Sequence, residues 1–407
     1  MRYFIWVGLA LTALVAIDAR ADGVLEPLGK ERLGTGIYCV LGRNFFTLEN
    51  DLYLSTVTHM VHGAGQGRNL LLWRRSLDNG PWRLTPIRPE RMPAMISILP
   101  REDHPGETLF LYVDRRDEAD RVVYLERFTE DGGMEEVFRY ANGSGVLNPI
   151  AAPAPGGSIL HLFIPDRTDT YIRWFKAHLG EDRVERLDDI PMPQRGARLY
   201  DYHVEGSRLI LPTAVVRELH LLAVDLDTGA YEMKRIDEAE SPDNQPPRNM
   251  TIHAFPEKNL YLITYLRPTE FSNRPETGLV GEVVANAVCM ERLESVQRTV
   301  IGGFRAEEAA THHIASAKVA EDAFVAAYTT VDEVHQRHLT GEFENYAAGH
   351  VDRWRLSGDG ALTAQAQHEM EPFWHAGLAT DGKGNLYMLY NSATEESPKW
   401  LKRWRTE

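Results

Sequence analysis

Arginine and histidine recur at comparable places in this chain, a few residues before or within short apolar runs. Arg91, Arg198, Arg248 and Arg305 occupy such positions, with His203, His253, His313 and His375 close behind. A guanidinium fork grips a carboxylate or sulfate through two parallel N–H bonds, so these arginines are candidate anion ligands. Imidazole can take a proton near neutral pH. Together they suggest proton abstraction beside a carboxylate: Arg198 or Arg248 would neutralise a uronate, His253 or His203 would remove its α-proton, and Tyr202 would protonate the leaving oxygen. Two other chemistries draw on the same residues. Asp201 and Glu371 are the carboxylates a glycosidase would use. His253, His313 and His375, with Glu371, could converge on a divalent transition metal, although the chain has no compact motif such as His-Glu-x-x-His. A purely binding role is the third reading, with Trp374 as a sugar-stacking platform and a glycan or a protein as partner.

The elements that must position these residues are short strands. No segment after the N-terminus reads as a long amphipathic helix, and apolar or alternating runs recur between Gly, Pro, Asn and Asp clusters. One strand type repeats seven times: Leu52-Tyr53-Leu54, Leu109-Phe110-Leu111, Leu160-His161-Leu162, Leu209-Ile210-Leu211, Leu260-Tyr261-Leu262, Val325-Ala326-Ala327 and Leu386-Tyr387-Met388. A third strand follows each, often marked by a Trp-Arg or Arg-Trp pair, as at Trp73-Arg74, Arg173-Trp174, Arg353-Trp354 and Arg403-Trp404. Repetition at this spacing is the signature of an array or propeller.

The seventh unit stops after its third strand, at Trp400 to Arg405, whereas Val24 to Leu33 precedes the first inner strand (Ile37 to Leu41) and looks like an outer strand. Pairing the two closes the ring and removes exposed sheet edges. The expected fold is therefore all-β, a seven-bladed β-propeller of four-stranded blades whose last blade is closed by an N-terminal outer strand. In that register Cys39 lies on the innermost strand of blade one and Cys289 on the third strand of blade five. A disulfide needs Cα atoms within about 7 Å, so two free buried thiols are expected.

The turns Ser76-Leu77-Asp78-Asn79-Gly80, Thr129-Glu130-Asp131-Gly132-Gly133, Asp225-Leu226-Asp227-Thr228-Gly229 and Ser357-Gly358-Asp359-Gly360 resemble the Asp-box of BNR repeats in sialidase-like propellers. That resemblance implies a propeller in which the acidic turns are structural: Asp accepts backbone N–H bonds and Gly supplies positive φ. True sialidases are expected to carry an Arg-Ile-Pro start, which is absent here. The acidic turns fall on one face of the ring. The Arg- and His-bearing loops fall on the other, around the channel mouth.

Composition narrows the function classes. The 407 residues carry 44 Lys+Arg against 59 Asp+Glu, a net charge of -15, which speaks against a nucleic-acid partner because phosphate neutralisation needs a concentrated basic face. Arginine far outnumbers lysine, so a locally basic mouth inside an acidic shell remains compatible with that charge. Arg2, an apolar stretch from Tyr3 to Ile17 and Ala19-Arg20-Ala21 follow the plan of a cleavable secretory signal over residues 1–21. The expectation is an exported protein, periplasmic or extracellular, with residues 22–407 as one propeller domain and no membrane span after cleavage. No Gly-x-Gly-x-x-Gly, P-loop or Gly-x-Ser-x-Gly element supports nucleotide or α/β-hydrolase chemistry.

Overall fold

The second strand of each repeat is apolar on both faces, because each face packs against a different neighbouring sheet. In Glu107–Asp114 all residues but the first are buried: Leu109, Leu111 and Val113 join one apolar cluster, while Phe110 and Tyr112 join another. A strand covered on both sides reads as a continuous apolar run rather than an alternating one. Burying one such side chain contributes roughly 1.5–3 kcal/mol.

In the computed structural model, residues 25–406 are described apart from 35–36, 39–44, 49, 59–69, 79, 88–92, 102–103, 105–106, 115–120, 130–132, 142–147, 182, 240–245, 269–280, 303–308, 333–345 and 394–398. The chain is all-β, with antiparallel sheets arranged as a seven-bladed β-propeller of four-stranded blades. Blade two shows the plan, with Pro93–Pro100 innermost, then Glu107–Asp114, Val122–Thr129 and the outer Gly133–Ala141. The inner strands of blades four to seven are Arg198–Leu199 with His203–Glu205, then Arg248–Phe255, Ala309–Ala320 and Phe373–Thr380. One pair, Gly281 with Thr311, links the sheets of blades five and six. Among the described residues, seven apolar clusters each join side chains of two adjacent blades, one per seam around the ring.

Ring closure follows the expected scheme. Glu26–Gly34 pairs antiparallel with Lys399–Arg405, from Glu26 with Arg405 to Gly34 with Lys399, as the fourth strand of blade seven. Leu25 and Trp404 enter the cluster between blades six and seven, and Leu33 packs into the one between seven and one. Blade one departs from expectation at its inner strand. Where a run from Ile37 to Leu41 is predicted, the described pieces are Ile37–Tyr38 and Phe45–Leu48. Cys39 lies outside the described residues, whereas Cys289 is free and buried on the third strand of blade five.

Two of the acidic turns are built as their residue types require, while Asn79 and residues 130–132 of the other two lie outside the described residues. Asp225 Oδ1 accepts the backbone N–H groups of Asp227 (3.1 Å) and Thr228 (2.8 Å) and the Thr228 hydroxyl, while Gly229 takes φ +78° and donates its N–H to the Asp225 carbonyl. A Cβ at Gly229 would also approach the Trp174 ring, the aromatic residue beneath this turn. Ser357, Asp359 and Gly360 form a second such turn.

One buried histidine gives the fold a pH signature. Trp174 Nε1 donates to His161 Nδ1 at 3.0 Å, so Nδ1 must carry a lone pair. Burial, aided by the nearby Lys176 charge, lowers the His161 pKa to about 4. Between about pH 6.5 and 4 the unfolded chain therefore binds a proton that the folded chain refuses, and stability falls as pH drops through this window. His161→Gln is expected to flatten the pH dependence of the melting temperature in that range. An unchanged slope would show that His161 is not the group responsible.

Candidate functional site

Several inner strands are irregular close to their starts. Pairing with the second strand shifts between Ala94 and Ser97 in blade two, Arg248 and Thr251 in blade five, Thr311 and His313 in blade six, and Phe373 and Ala376 in blade seven. In blade four the inner strand is interrupted from Tyr200 to Tyr202. Bulges re-aim side chains and end regular pairing, and in blades four to seven the irregularities coincide with Arg, His or aromatic residues singled out from sequence. Asn249, within the blade-five bulge, takes φ +52°.

Arg198 and Arg248 begin the inner strands of neighbouring blades four and five. Burial, and then the charge of Arg198, hold the Arg248 guanidinium below its ordinary pKa, with the Tyr200 phenol acting in the opposite sense. Two guanidinium groups are thus close enough to repel each other at a partly buried place, with a phenol beside them. Asp201 ties these strands together, its Oδ2 accepting the Ile252 N–H at 3.0 Å. That bond spans the seam between the two blades and gives this carboxylate a structural task.

His203 and Tyr202 face opposite seams. Tyr202 is buried in the apolar cluster between blades three and four, whereas the His203 ring lies 5.8 Å from that of Tyr261 in blade five. The phenol that sits beside the arginines is Tyr200, packed against the cluster between blades four and five. His253 faces the next seam. Its Nε2 lies 2.8 Å from Ser316 Oγ on the inner strand of blade six, and Thr251 and Thr264 complete a polar cluster around that hydroxyl.

Glu371, in the connection between blades six and seven, accepts the Tyr390 hydroxyl at 2.6 Å and pairs with Lys30 of the closing strand. Burial works to raise its pKa, but the bonds from Lys30 and Tyr390 outweigh it and hold the carboxyl below the usual range. Glu371 thus stays ionised at neutral pH and helps fasten the ring closure. The glycosidase reading pairs Glu371 with Asp201, and the two are anchored in different seams.

Of the expected metal set, His253 has a described side chain. His313 and His375 lie on inner strands, but their side chains, and that of Trp374, fall outside the described residues, as do Arg91 and Arg305 entirely. Among the described residues no group of three or more His, Cys, Asp or Glu is placed to hold a metal ion. No helix among the described residues is long and apolar enough to cross a membrane.

Comparison with known proteins gives fold-level likeness. No family model matches the chain, and no curated protein matches it. Among solved structures it is similar to the WD40 domain of Toxoplasma gondii coronin, with a TM-score of 0.53 and 10% identity over 94% of this chain and 87% of that one. It is also similar to the polysaccharide lyase Uly1, with a TM-score of 0.51 and 8% identity over 93% and 99%, and to the Dos1 propeller, with a TM-score of 0.53 and 8% identity over 94% and 95%. These likenesses support the propeller, and one fold hosts many functions.

Two features of the site were not assigned roles from sequence. Tyr200 stands two residues from Tyr202, and only the break in the strand decides which phenol faces the arginines. Ser316 belongs to a run of small residues, Ala315-Ser316-Ala317, that carries no chemical signal of its own.

Proposed function

We propose that this protein is an exported propeller that binds an anionic carbohydrate, bearing uronate or sulfate groups, at the channel mouth, and acts on it by lyase-type elimination. The observation that carries the reading is the placement of Arg198 and Arg248 at the start of adjacent inner strands, where the charge of Arg198 bears on the Arg248 guanidinium. A carboxylate or sulfate held by both forks would place its negative charge between the two guanidinium groups.

In the elimination, Arg198 and Arg248 hold the uronate carboxylate and stabilise the negative charge that develops on it. His253, which follows Arg248 on the same inner strand and faces the neighbouring seam between blades five and six, is assigned the base that accepts the proton from the carbon next to the carboxylate. The electron pair left behind forms a carbon–carbon double bond, and the glycosidic C–O bond breaks. Tyr200, in place of Tyr202, gives the departing oxygen its proton. A secretory pattern at residues 1–21 and turns of the Asp-box type are consistent with this reading of an exported glycan-handling propeller. The lyase Uly1 shares the fold, which makes the chemistry compatible with this architecture.

Incubation with a panel of uronate polysaccharides is expected to release an unsaturated, ultraviolet-absorbing product. His253→Ala should abolish that product, while glycan retention on an affinity gel persists. If no member of a broad panel yields product but retention remains, the protein binds its glycan without cleaving it.

A further inference from the structure

The polar cluster around His253 has a proton count that can be closed. Thr251 Oγ1 lies 2.6 Å from Thr264 Oγ1 and 2.5 Å from Ser316 Oγ, Thr264 Oγ1 lies 2.6 Å from Ser316 Oγ, and His253 Nε2 lies 2.8 Å from Ser316 Oγ. Each contact at such a distance needs a proton between its two heavy atoms, since otherwise lone pairs would face each other. Four contacts need four protons, and three hydroxyls carry one each. The fourth proton has to come from the imidazole.

Two of the three hydroxyls are not free to turn to water instead, while Thr251 is half-buried. Thr264 is 0% exposed and Ser316 6% exposed, in the seam where Phe255, Leu262, Leu266 and Ile314 form the surrounding apolar cluster. An unmade bond there would leave a buried polar atom unsatisfied, which costs more than a made bond contributes. The arrangement satisfying every contact is a closed ring of three hydroxyls, each donating once and accepting once, with Ser316 accepting a further bond from the histidine.

We infer that the Thr251–Thr264–Ser316 hydroxyl ring holds neutral His253 in the tautomer protonated on Nε2, so that Nδ1 carries the lone pair. The three hydroxyl residues are positioning residues, acting on the histidine without touching substrate. The catalytic meaning rests on the proposed function: Nδ1 is then the basic nitrogen that takes the substrate proton. The tautomer itself does not depend on that reading.

Nitrogen-15 NMR of histidine-labelled full-length protein, with His253 assigned by the His253→Gln spectrum, tests it in the absence of substrate. The expected wild-type signature at neutral pH is a protonated Nε2 and an unprotonated Nδ1. Thr264→Val keeps the side-chain shape but removes one hydroxyl. Two contacts to Ser316 then remain for two hydroxyl protons, so the ring can equally accept from Ser316 and the tautomers should mix. Thr251→Val makes the same prediction and serves if the first variant fails to fold. For a cleaving enzyme, either variant should lower kcat by about tenfold or more with little change in KM, as expected when a base is held in the wrong tautomer. A wild-type His253 protonated on Nδ1, or a wild-type signature persisting in both valine variants, would overturn the assignment. Absence of lyase activity together with the expected signature would remove the catalytic reading and leave the tautomer standing.

Discussion

Arg248→Gln is expected to weaken binding of a uronate oligosaccharide by about 10- to 100-fold while leaving the melting temperature unchanged or slightly raised. A charge-assisted hydrogen bond contributes about 1.5–3 kcal/mol, and 1.4 kcal/mol is a factor of ten in affinity. The stability half of the prediction follows from the environment of Arg248. Burial and the neighbouring Arg198 both disfavour its charge, and a neutral side chain of similar length removes that charge while keeping most of the packing. A site kept at a cost to stability is what a binding role predicts. Calorimetric titration together with thermal unfolding reads both quantities. Lower stability with unaltered affinity would mean that Arg248 is a packing residue.

Removal of the closing strand should have the largest structural effect. A chain lacking residues 25–34 loses the register from Glu26 with Arg405 to Gly34 with Lys399, the packing of Leu25 and Leu33, and the Lys30 partner of Glu371. Lys30 also lies 3.8 Å from the centre of the Trp400 ring, so a cation–π contact goes with it. Lys399–Arg405 would become an open edge strand beside a gap in the ring, a template for association between chains. Each lost apolar side chain contributes roughly 1.5–3 kcal/mol, and the strand as a whole is comparable with the margin of about 5–15 kcal/mol that keeps a domain folded. The truncated chain should aggregate or melt far below the full-length protein in size-exclusion and thermal unfolding experiments. A monomeric product with the full-length melting temperature would contradict the role given to this strand.

The ring was legible in the sequence because of where its strands are buried. Runs such as Leu109-Phe110-Leu111 stand out since both faces of the second strand are covered, and the missing fourth strand of the last unit pointed to the N-terminus as its replacement. The site was legible only as residue types near the inner-strand entries. A bulge inserts a residue and exchanges the two faces of a strand, so alternation cannot be followed through Arg248–Thr251 or through the break at Tyr200–Tyr202. That is why Tyr202, chosen from sequence as the acid, is found in the core, with Tyr200 beside the arginines. Glu371 shows a second limit. Its pairing with Lys30 joins residues far apart in the chain, and only ring closure brings them together. Ser316 shows a third, because a serine between alanines becomes informative once Thr251, Thr264 and His253 surround it.

Paired titration calorimetry most directly tests whether the channel mouth is an anion site. One ligand is an acidic uronate oligosaccharide, and the other is the same oligosaccharide with its carboxylates reduced to alcohols. The Arg198 and Arg248 pair predicts saturable binding of the acidic ligand, weakened by added salt, and loss of that binding in the reduced ligand and in Arg248→Gln. Equal binding of the acidic and reduced ligands, or acidic-ligand binding untouched by Arg248→Gln, would contradict it.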